Sequence, residues 1–168
     1  MKAYIGGDPG KGGGVAVITS IGNGVAYKWP DSPAGVAALF KQLTDKYDIV
    51  FGAVESVHSM PGQGVVSTFT FGKGYGQMLQ AFASAGIPFV DVRPQAWMKD
   101  LGIPPRKRCD ELKPGQKKKD WMESPTQWKN RLKGLAQQYF PGEKITLATS
   151  DAFLIALWAH RMGAPKDD

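Results

Sequence analysis

Three short apolar runs separated by glycine-rich turns fill the first 29 residues and constrain the fold more than any other feature. The runs cover residues 2–7, 15–18 and 25–29. Short runs bounded by glycine are typical of strands joined by tight turns, and the Asn-Gly pair at the second turn favours the positive backbone angles of hairpins. The chain is therefore predicted to begin with three antiparallel strands.

Helices and strands alternate in the rest of the chain. Ser32 and the following proline form a helix start, and apolar residues then recur at three- and four-residue spacing up to Tyr47. Further strands are predicted at residues 49–54 and 87–92, and further helices at 67–85, 94–101, from 124 onward and at 150–163. This order predicts an α/β fold with a mixed five-stranded sheet, three antiparallel strands followed by two parallel ones, flanked by helices.

Length and composition favour one domain over residues 1–168. No apolar run approaches the roughly 18 residues that span a bilayer, and the first run meets Gly6 before a signal-peptide core could form. The single cysteine, Cys109, excludes an intramolecular disulfide and a multi-cysteine zinc site. We expect a cytoplasmic protein without a membrane partner.

The net positive charge lies in one stretch of the chain. Residues 91–135 hold twelve Lys and Arg against six Asp and Glu, whereas the remaining residues hold nine of each. An exposed basic loop is predicted at about residues 102–120, with its clustered bases at Arg106, Lys107, Arg108, Lys117, Lys118 and Lys119. Such a patch suits nucleic acid, and a solvated loop without a partner explains the charge equally well.

Three acidic residues lie where the predicted sheet would bring them together. Asp8 ends the first strand, Glu55 ends the fourth, and Asp151 lies in the first turn of the last helix. If the first and fourth strands are neighbours, the carboxylates converge, and hard divalent cations such as Mg²⁺ can hold them together. Two ions can activate water and stabilise a leaving oxygen, so metal and basic patch together predict a nuclease. Each acid taken singly could instead be a helix cap or a solvated strand end.

The turn after Asp8 superficially resembles a phosphate-binding loop. It lacks the Gly-Lys-Ser/Thr ending and leads into a strand, which excludes a Walker loop and argues against a nucleotide cofactor. Actin-like ATPases use a similar turn, but they need two such domains, and this chain has room for one.

Aromatic and histidine residues near the acids and the basic stretch are candidate DNA contacts. His58 follows Glu55 by three residues, where a DNA contact and a plain loop role fit equally. Trp97 and Trp121 flank the basic stretch and are the candidates for base stacking.

Three glycines interrupt the helix predicted at residues 67–85, at Gly72, Gly74 and Gly76. Each interior glycine costs roughly 1 kcal/mol relative to alanine. Their clustering therefore indicates close approach of a partner chain or a ligand.

Taken together, the acidic motifs resemble those of RuvC-like Holliday junction resolvases, above all the compact versions carried by bacteriophages. The motifs are Asp8-Pro9-Gly10 and the segments 55–64 and 150–156, and the resemblance extends through 68–76 and 92–97. The resemblance implies a ribonuclease H-like fold, a homodimer, and symmetric magnesium-dependent nicking of four-way or branched DNA in a bacterial or phage-infected cell.

The same resemblance implies a role for each candidate residue. Asp8 would be the ligand shared by two metal ions, with Glu55 and Asp151 completing the catalytic set and Mn²⁺ able to replace Mg²⁺. The helix at 67–85 would build the dimer interface, and Lys118 or Lys119 would lie near the scissile phosphate. The DNA-binding candidates are His58, Lys73, Arg106, Lys107, Arg108, Lys117, Lys118 and Lys119.

At one position the chain departs from the family pattern. A fourth acidic or histidine ligand is common three residues before the last aspartate, and here that residue is Ala148. The second ion would then have fewer protein ligands, or one from elsewhere such as Glu143. Three functions stay open: a branched-DNA endonuclease, a junction-binding protein with little or no cleavage, and a ribonuclease H-like enzyme acting on RNA–DNA hybrids.

Overall fold

A five-stranded mixed sheet forms the centre of the fold. The structure is a computed structural model and describes residues 1–10, 12–58, 64–106 and 123–163. The strands are β1 (Lys2–Asp8), β2 (Gly14–Thr19), β3 (Gly24–Lys28), β4 (Asp48–Glu55) and β5 (Phe89–Val92). Their spatial order is β3-β2-β1-β4-β5, with β1, β2 and β3 antiparallel and β1, β4 and β5 parallel. The predicted mixed sheet is confirmed, and β1 and β4 are neighbours.

Five helices flank the sheet in the described residues. They are α1 (Pro33–Lys46), α2 (Val65–Ser84), α3 (Pro94–Asp100), α4 (Pro125–Tyr139) and α5 (Ser150–Gly163). Local sequence explains two of the starts, because Ser32 Oγ accepts the N–H of Gly35, and Ser124 and Gln127 form a reciprocal capping box. The predicted boundaries differ by two residues at the start of α2 and at the start of β5.

The turn between β2 and β3 has a different conformation from the one that the Asn-Gly pair predicts. The positive φ, 88°, is at Gly22, one residue before the asparagine. Asn23 instead donates its N–H to Thr19 Oγ1 at 3.2 Å, and this hydrogen bond joins the turn to the end of β2.

The two faces of the sheet are covered by different helices. On one face α5, supported by α3 and α4, contributes to a buried cluster with Trp97, Phe153 and Leu154. On the other face α1 and α2 cover a second cluster that contains Leu43 and Phe82.

Helix α5 lies directly on the backbone of β1. A Cβ atom at Gly6 would overlap the backbone of Ala152 and Ala156, so only glycine allows this approach. The close packing brings the first turn of α5, with Asp151, to the end of β1 where Asp8 lies.

Within the described residues, no helix has both the length and the apolar character that crossing a membrane requires.

Candidate active site

Asp8 and Asp151 form the buried centre of the site. Asp8 Oδ1 accepts the N–H of Gly10 at 3.2 Å, so the turn after β1 orients the carboxylate. Asp151 Oδ1 accepts the hydroxyl of Ser150 at 3.1 Å. Burial, and then the charge of Asp151, raise the pKa of Asp8 above its ordinary value. The Asp151 carboxylate is therefore close enough to influence the ionisation of Asp8.

Glu55 completes the acidic group from the end of β4. Trp97 Nε1 donates to Glu55 Oε2 at 3.0 Å and so sets the orientation of this carboxylate. Burial, and then the charge of Asp8, raise the pKa of Glu55 to about 7, against the smaller opposing effect of the Trp97 hydrogen bond. Near neutral pH and without a cation, Glu55 is thus partly protonated.

The burial of Trp97 corrects its predicted role. Its side chain is fully buried in the cluster beneath α5, and its indole N–H is used by Glu55. Trp97 cannot stack on a DNA base, and instead positions a carboxylate of the site. Trp121, the other stacking candidate, lies outside the described residues.

Lys129 of α4 joins the three acids, although the sequence pattern did not single it out. Its Nζ lies 2.7 Å from Asp151 Oδ2. Burial by itself would lower the pKa of Lys129, but the charges of Asp151, Asp8 and Glu55 outweigh burial and raise it. Lys129 is therefore protonated and provides positive charge to the acidic group. The sequence did contain a signal for this contact. Lys129 lies between Trp128 and Leu132, so it borders the apolar face of a predicted helix, and that face packs on the rest of the fold.

The three carboxylates suit a divalent cation by their chemistry. They are oxygen donors, which hard cations such as Mg²⁺ prefer. Burial, and then the neighbouring carboxylates, raise the pKa values of Asp8 and Glu55, and a cation would favour the ionised form of both. In the described part of the chain, however, no three acidic, histidine or cysteine side chains stand close enough together to hold an ion. Lys129 places a positive charge beside the Asp151 carboxylate, so ion binding requires these side chains to rearrange.

The remaining predicted site residues do not all gather at the acids. His58 is exposed and lines a cavity of about 510 Å³ that also includes Glu55. Lys73 is exposed on α2 and lines a separate groove beside Gly10. Arg106 is half-buried and donates from Nε to the carbonyl of Glu123 at 3.0 Å. Outside the described residues lie Lys107, Arg108, Lys117, Lys118 and Lys119.

Two residues bear on the absent fourth ligand, Ala148 at its position and Glu143 as its candidate replacement. Ala148 is half-buried in the turn before α5. Glu143 follows the end of α4, and since a helix rises about 1.5 Å per residue, that end is about 15 Å along the axis from Lys129. The carbonyl of Glu143 accepts from Gln137 Nε2 at 2.9 Å. Glu143 thus follows the end of α4 that is opposite to the end carrying Lys129.

Solved structures with a similar fold are known. The structure of T. thermophilus RuvC in complex with a Holliday junction substrate matches with a TM-score of 0.61 and 16% sequence identity, over 97% of each chain. The chain has the fold of RuvC. A second Thermus thermophilus RuvC structure matches with a TM-score of 0.59 and 17% identity, over 96% of each chain. No family model and no curated protein matches the sequence.

The match to RuvC confirms the fold that the acidic motifs indicated. It spans nearly the full length of both chains, so it includes β1, β4 and α5, the elements that carry the three acids. At 16–17% identity the likeness is one of fold, and the roles of Asp8, Glu55 and Asp151 remain predictions.

Proposed function

We propose that the chain is a metal-dependent endonuclease that hydrolyses phosphodiester bonds in four-way or otherwise branched DNA. The observation that carries the proposal is the meeting of Asp8, Glu55 and Asp151 with Lys129 at one edge of a sheet with the RuvC fold. The similar T. thermophilus RuvC was solved with a Holliday junction substrate, which supports branched DNA as the substrate class.

Each residue of the site has a distinct part in this reaction. The three carboxylates would hold Mg²⁺ or Mn²⁺, two ions for each site, and the ions would supply water activation and stabilisation of the leaving oxygen. Gly10 and Trp97 keep the carboxylates of Asp8 and Glu55 in place. The products are a 5′-phosphate and a 3′-hydroxyl.

Lys129 takes the role that the resemblance suggested for Lys118 or Lys119. Its ammonium lies at the acidic edge and is half-exposed, so it can move from Asp151 to a non-bridging oxygen of the scissile phosphate. A positive charge at that oxygen stabilises the charge that develops during hydrolysis.

Symmetric cutting requires two copies of the chain, and α2 supports such a homodimer. Its first half exposes Val65, Val66 and Phe69, with 85%, 79% and 74% of their surfaces accessible. A Cβ at Gly72 or Gly76 would meet nothing within 4 Å, so no other part of the described chain accounts for these glycines. A second α2 packed against this face would account for both features.

A junction-binding protein with little cleavage is the second candidate. It is favoured by Lys129, which already neutralises Asp151, and by Ala148 at the position of the absent ligand. Binding alone needs the basic residues but no ion at the acids.

Cleavage of a labelled four-way junction beside a linear duplex of the same sequence tests the proposal. We expect paired nicks across the junction with Mg²⁺ and none with a chelator or with Asp8→Asn. Asp45→Asn is the matched control, because Asp45 is exposed on α1 and pairs with Lys41. Tight junction binding without cleavage in Mg²⁺ or Mn²⁺ would establish the second candidate, and preferential cutting of an RNA–DNA hybrid would overturn both.

A further inference from the structure

Two kinds of contact hold the acids of the candidate site. Neutral donors orient each carboxylate: a backbone N–H for Asp8, an indole N–H for Glu55 and a hydroxyl for Asp151. These donors carry no net charge, so they leave the negative charge of the group uncompensated. Lys129 is different, because its ammonium lies 2.7 Å from Asp151 Oδ2 and carries a full positive charge.

The Lys129 ammonium lies where the negative charge of the three acids converges. Among these acids, Asp151 acts on its charge most strongly, followed by Asp8 and Glu55. In the ranges that the structure describes, no three acidic, histidine or cysteine side chains are close enough together to hold an ion. Lys129 is thus the internal counter-charge of the acidic group, and a divalent cation that binds to these acids has to compete with it.

Helix α4 is held in place by contacts that do not involve Lys129. Arg131 donates from Nη2 to Glu123 Oε2 at 2.9 Å, and Leu132 is buried in the cluster beneath α5. A lysine side chain has a flexible four-carbon stem, and that of Lys129 is 45% exposed. The ammonium can therefore leave Asp151 by rotation of its own side chain, without a movement of the helix.

We infer that Lys129 couples the binding of DNA to the binding of the divalent cation. A phosphodiester oxygen of DNA attracts the ammonium away from Asp151, and the acids, without their counter-charge, then bind a cation more tightly. Lys129, repelled by a cation at the acids, is in turn available to the phosphate. The two ligands therefore strengthen the binding of each other by the same factor. The inference rests on the proposed nuclease function, which supplies the DNA phosphate.

This role differs from that of a lysine that only contacts DNA. Such a lysine changes the affinity for DNA and leaves the affinity of the DNA-free protein for ions unchanged. A lysine that also compensates the acids lowers the affinity of the DNA-free protein for ions, so its removal raises that affinity.

The first test measures ion binding without DNA. Free Mn²⁺ is followed by electron paramagnetic resonance in titrations of native protein, Lys129→Met and Lys133→Met. We expect Lys129→Met to bind Mn²⁺ about fivefold more tightly, which is the worth of an ion pair with a partly exposed partner. Lys133→Met is the matched control, because it makes the same charge change about one turn further along α4. Asp8→Asn should weaken Mn²⁺ binding, which locates the ion at the acids.

The second test measures the coupling between the two ligands. The affinity for a four-way junction is determined with and without Ca²⁺, at mixing times at which electrophoresis shows the junction intact. We expect Ca²⁺ to strengthen junction binding by about tenfold in native protein and in Lys133→Met, and by a clearly smaller factor in Lys129→Met. Lys129→Gln repeats both tests if Lys129→Met does not fold, because glutamine keeps a polar end group without the charge.

The outcomes separate this coupling from the nuclease. If Lys129→Met binds Mn²⁺ no more tightly than native protein, or keeps the native coupling, Lys129 is a DNA contact only and the inference is wrong. Cutting of junctions by native protein would then leave the nuclease standing. If the Mn²⁺ affinity rises and the coupling falls but no junction is cut, the coupling stands on a junction-binding protein. Equal Mn²⁺ binding by native protein and Asp8→Asn would place the ion elsewhere and overturn the inference.

Discussion

Helices α5 and α2 are both rich in apolar residues, yet the chain uses them differently. Ten of the 14 residues of α5 are buried, whereas in α2, with 20 residues, only Met78 and Phe82 are buried. The apolar composition of α5 is explained by the sheet that it covers. That of α2 is explained only in part, because Val65, Val66 and Phe69 at its beginning face solvent. The comparison shows that the chain places Asp151 on a tightly packed helix, whereas the beginning of the other helix keeps an exposed apolar surface.

The largest effect is expected from Gly6→Ala, which tests the packing of α5. The new methyl group would overlap the backbone of Ala152 and Ala156, and a backbone cannot move aside as a side chain can. We expect the free energy of unfolding to fall by about 3 kcal/mol. Urea unfolding measures the change in this free energy, and a loss below about 0.5 kcal/mol would show that α5 does not lie on β1 as described.

The next largest effect is a pH dependence of the free energy of unfolding, which arises from Glu55. The pKa of Glu55 in the folded protein is about 7, above its ordinary value of 4.5. A carboxyl whose pKa is raised by folding favours the folded state below its ordinary pKa, and this contribution is lost as pH rises through the folded pKa. In the presence of a chelator, we expect stability to fall by about 2 to 3 kcal/mol as pH rises across this window.

Glu55→Gln is the variant that checks this window. The amide does not ionise, so the profile should flatten, with a residual slope from Asp8, whose pKa is also raised. Unfolding in urea at a series of pH values gives the result. A native profile that rises with pH over the same range would contradict the raised pKa of Glu55.

A smaller effect is expected from Lys129→Met in the metal-free protein. The variant removes the positive charge next to Asp151 and leaves three carboxylates without it. Because the Lys129 side chain is 45% exposed, solvent screens the interaction, and we expect a loss of about 1 kcal/mol at neutral pH.

Lys133→Met, on the same helix, is the control for Lys129→Met. Thermal unfolding with a chelator and with Mn²⁺ separates the two variants, since an ion at the acids should restore Lys129→Met toward native stability and have no such selective effect on Lys133→Met. Equal melting temperatures for the two variants under both conditions would mean that Lys129 is not the counter-charge of the acids.

The smallest effect, and one of opposite sign, is expected from Gly76→Ala in α2. A Cβ at Gly76 has open space around it, and alanine favours a helix over glycine, so the monomer should gain about 0.5 to 1 kcal/mol. If a second α2 packs across this face, the same methyl group weakens the dimer. Light scattering at several protein concentrations measures the dimer, and urea unfolding measures the stability of the monomer. A destabilised monomer would contradict the open position of Gly76.

Much of the fold followed from local patterns. The capping serines at 32 and 124, the glycine turns of the first hairpins and the apolar spacing of the helices all act over a few residues. Two of the acids could also be located from the sequence, because Asp8 and Glu55 are the last residues of their strands. Glycines were harder to interpret, since the sequence pattern singled out those of α2, whereas a Cβ at Gly6, Gly13 or Gly14 would overlap the backbone of another residue.

The sequence by itself determined the order of the elements and the position of each acid at the end of one, because hydrogen-bonded turns, caps and apolar periodicity are short-range interactions. Only the tertiary structure decided which side chains support those acids. Trp97 meets Glu55 across 42 residues and Lys129 meets Asp151 across 22. Both contacts arise when α3, α4 and α5 pack on one face of the sheet, and no local pattern records how helices distant in the chain pack together.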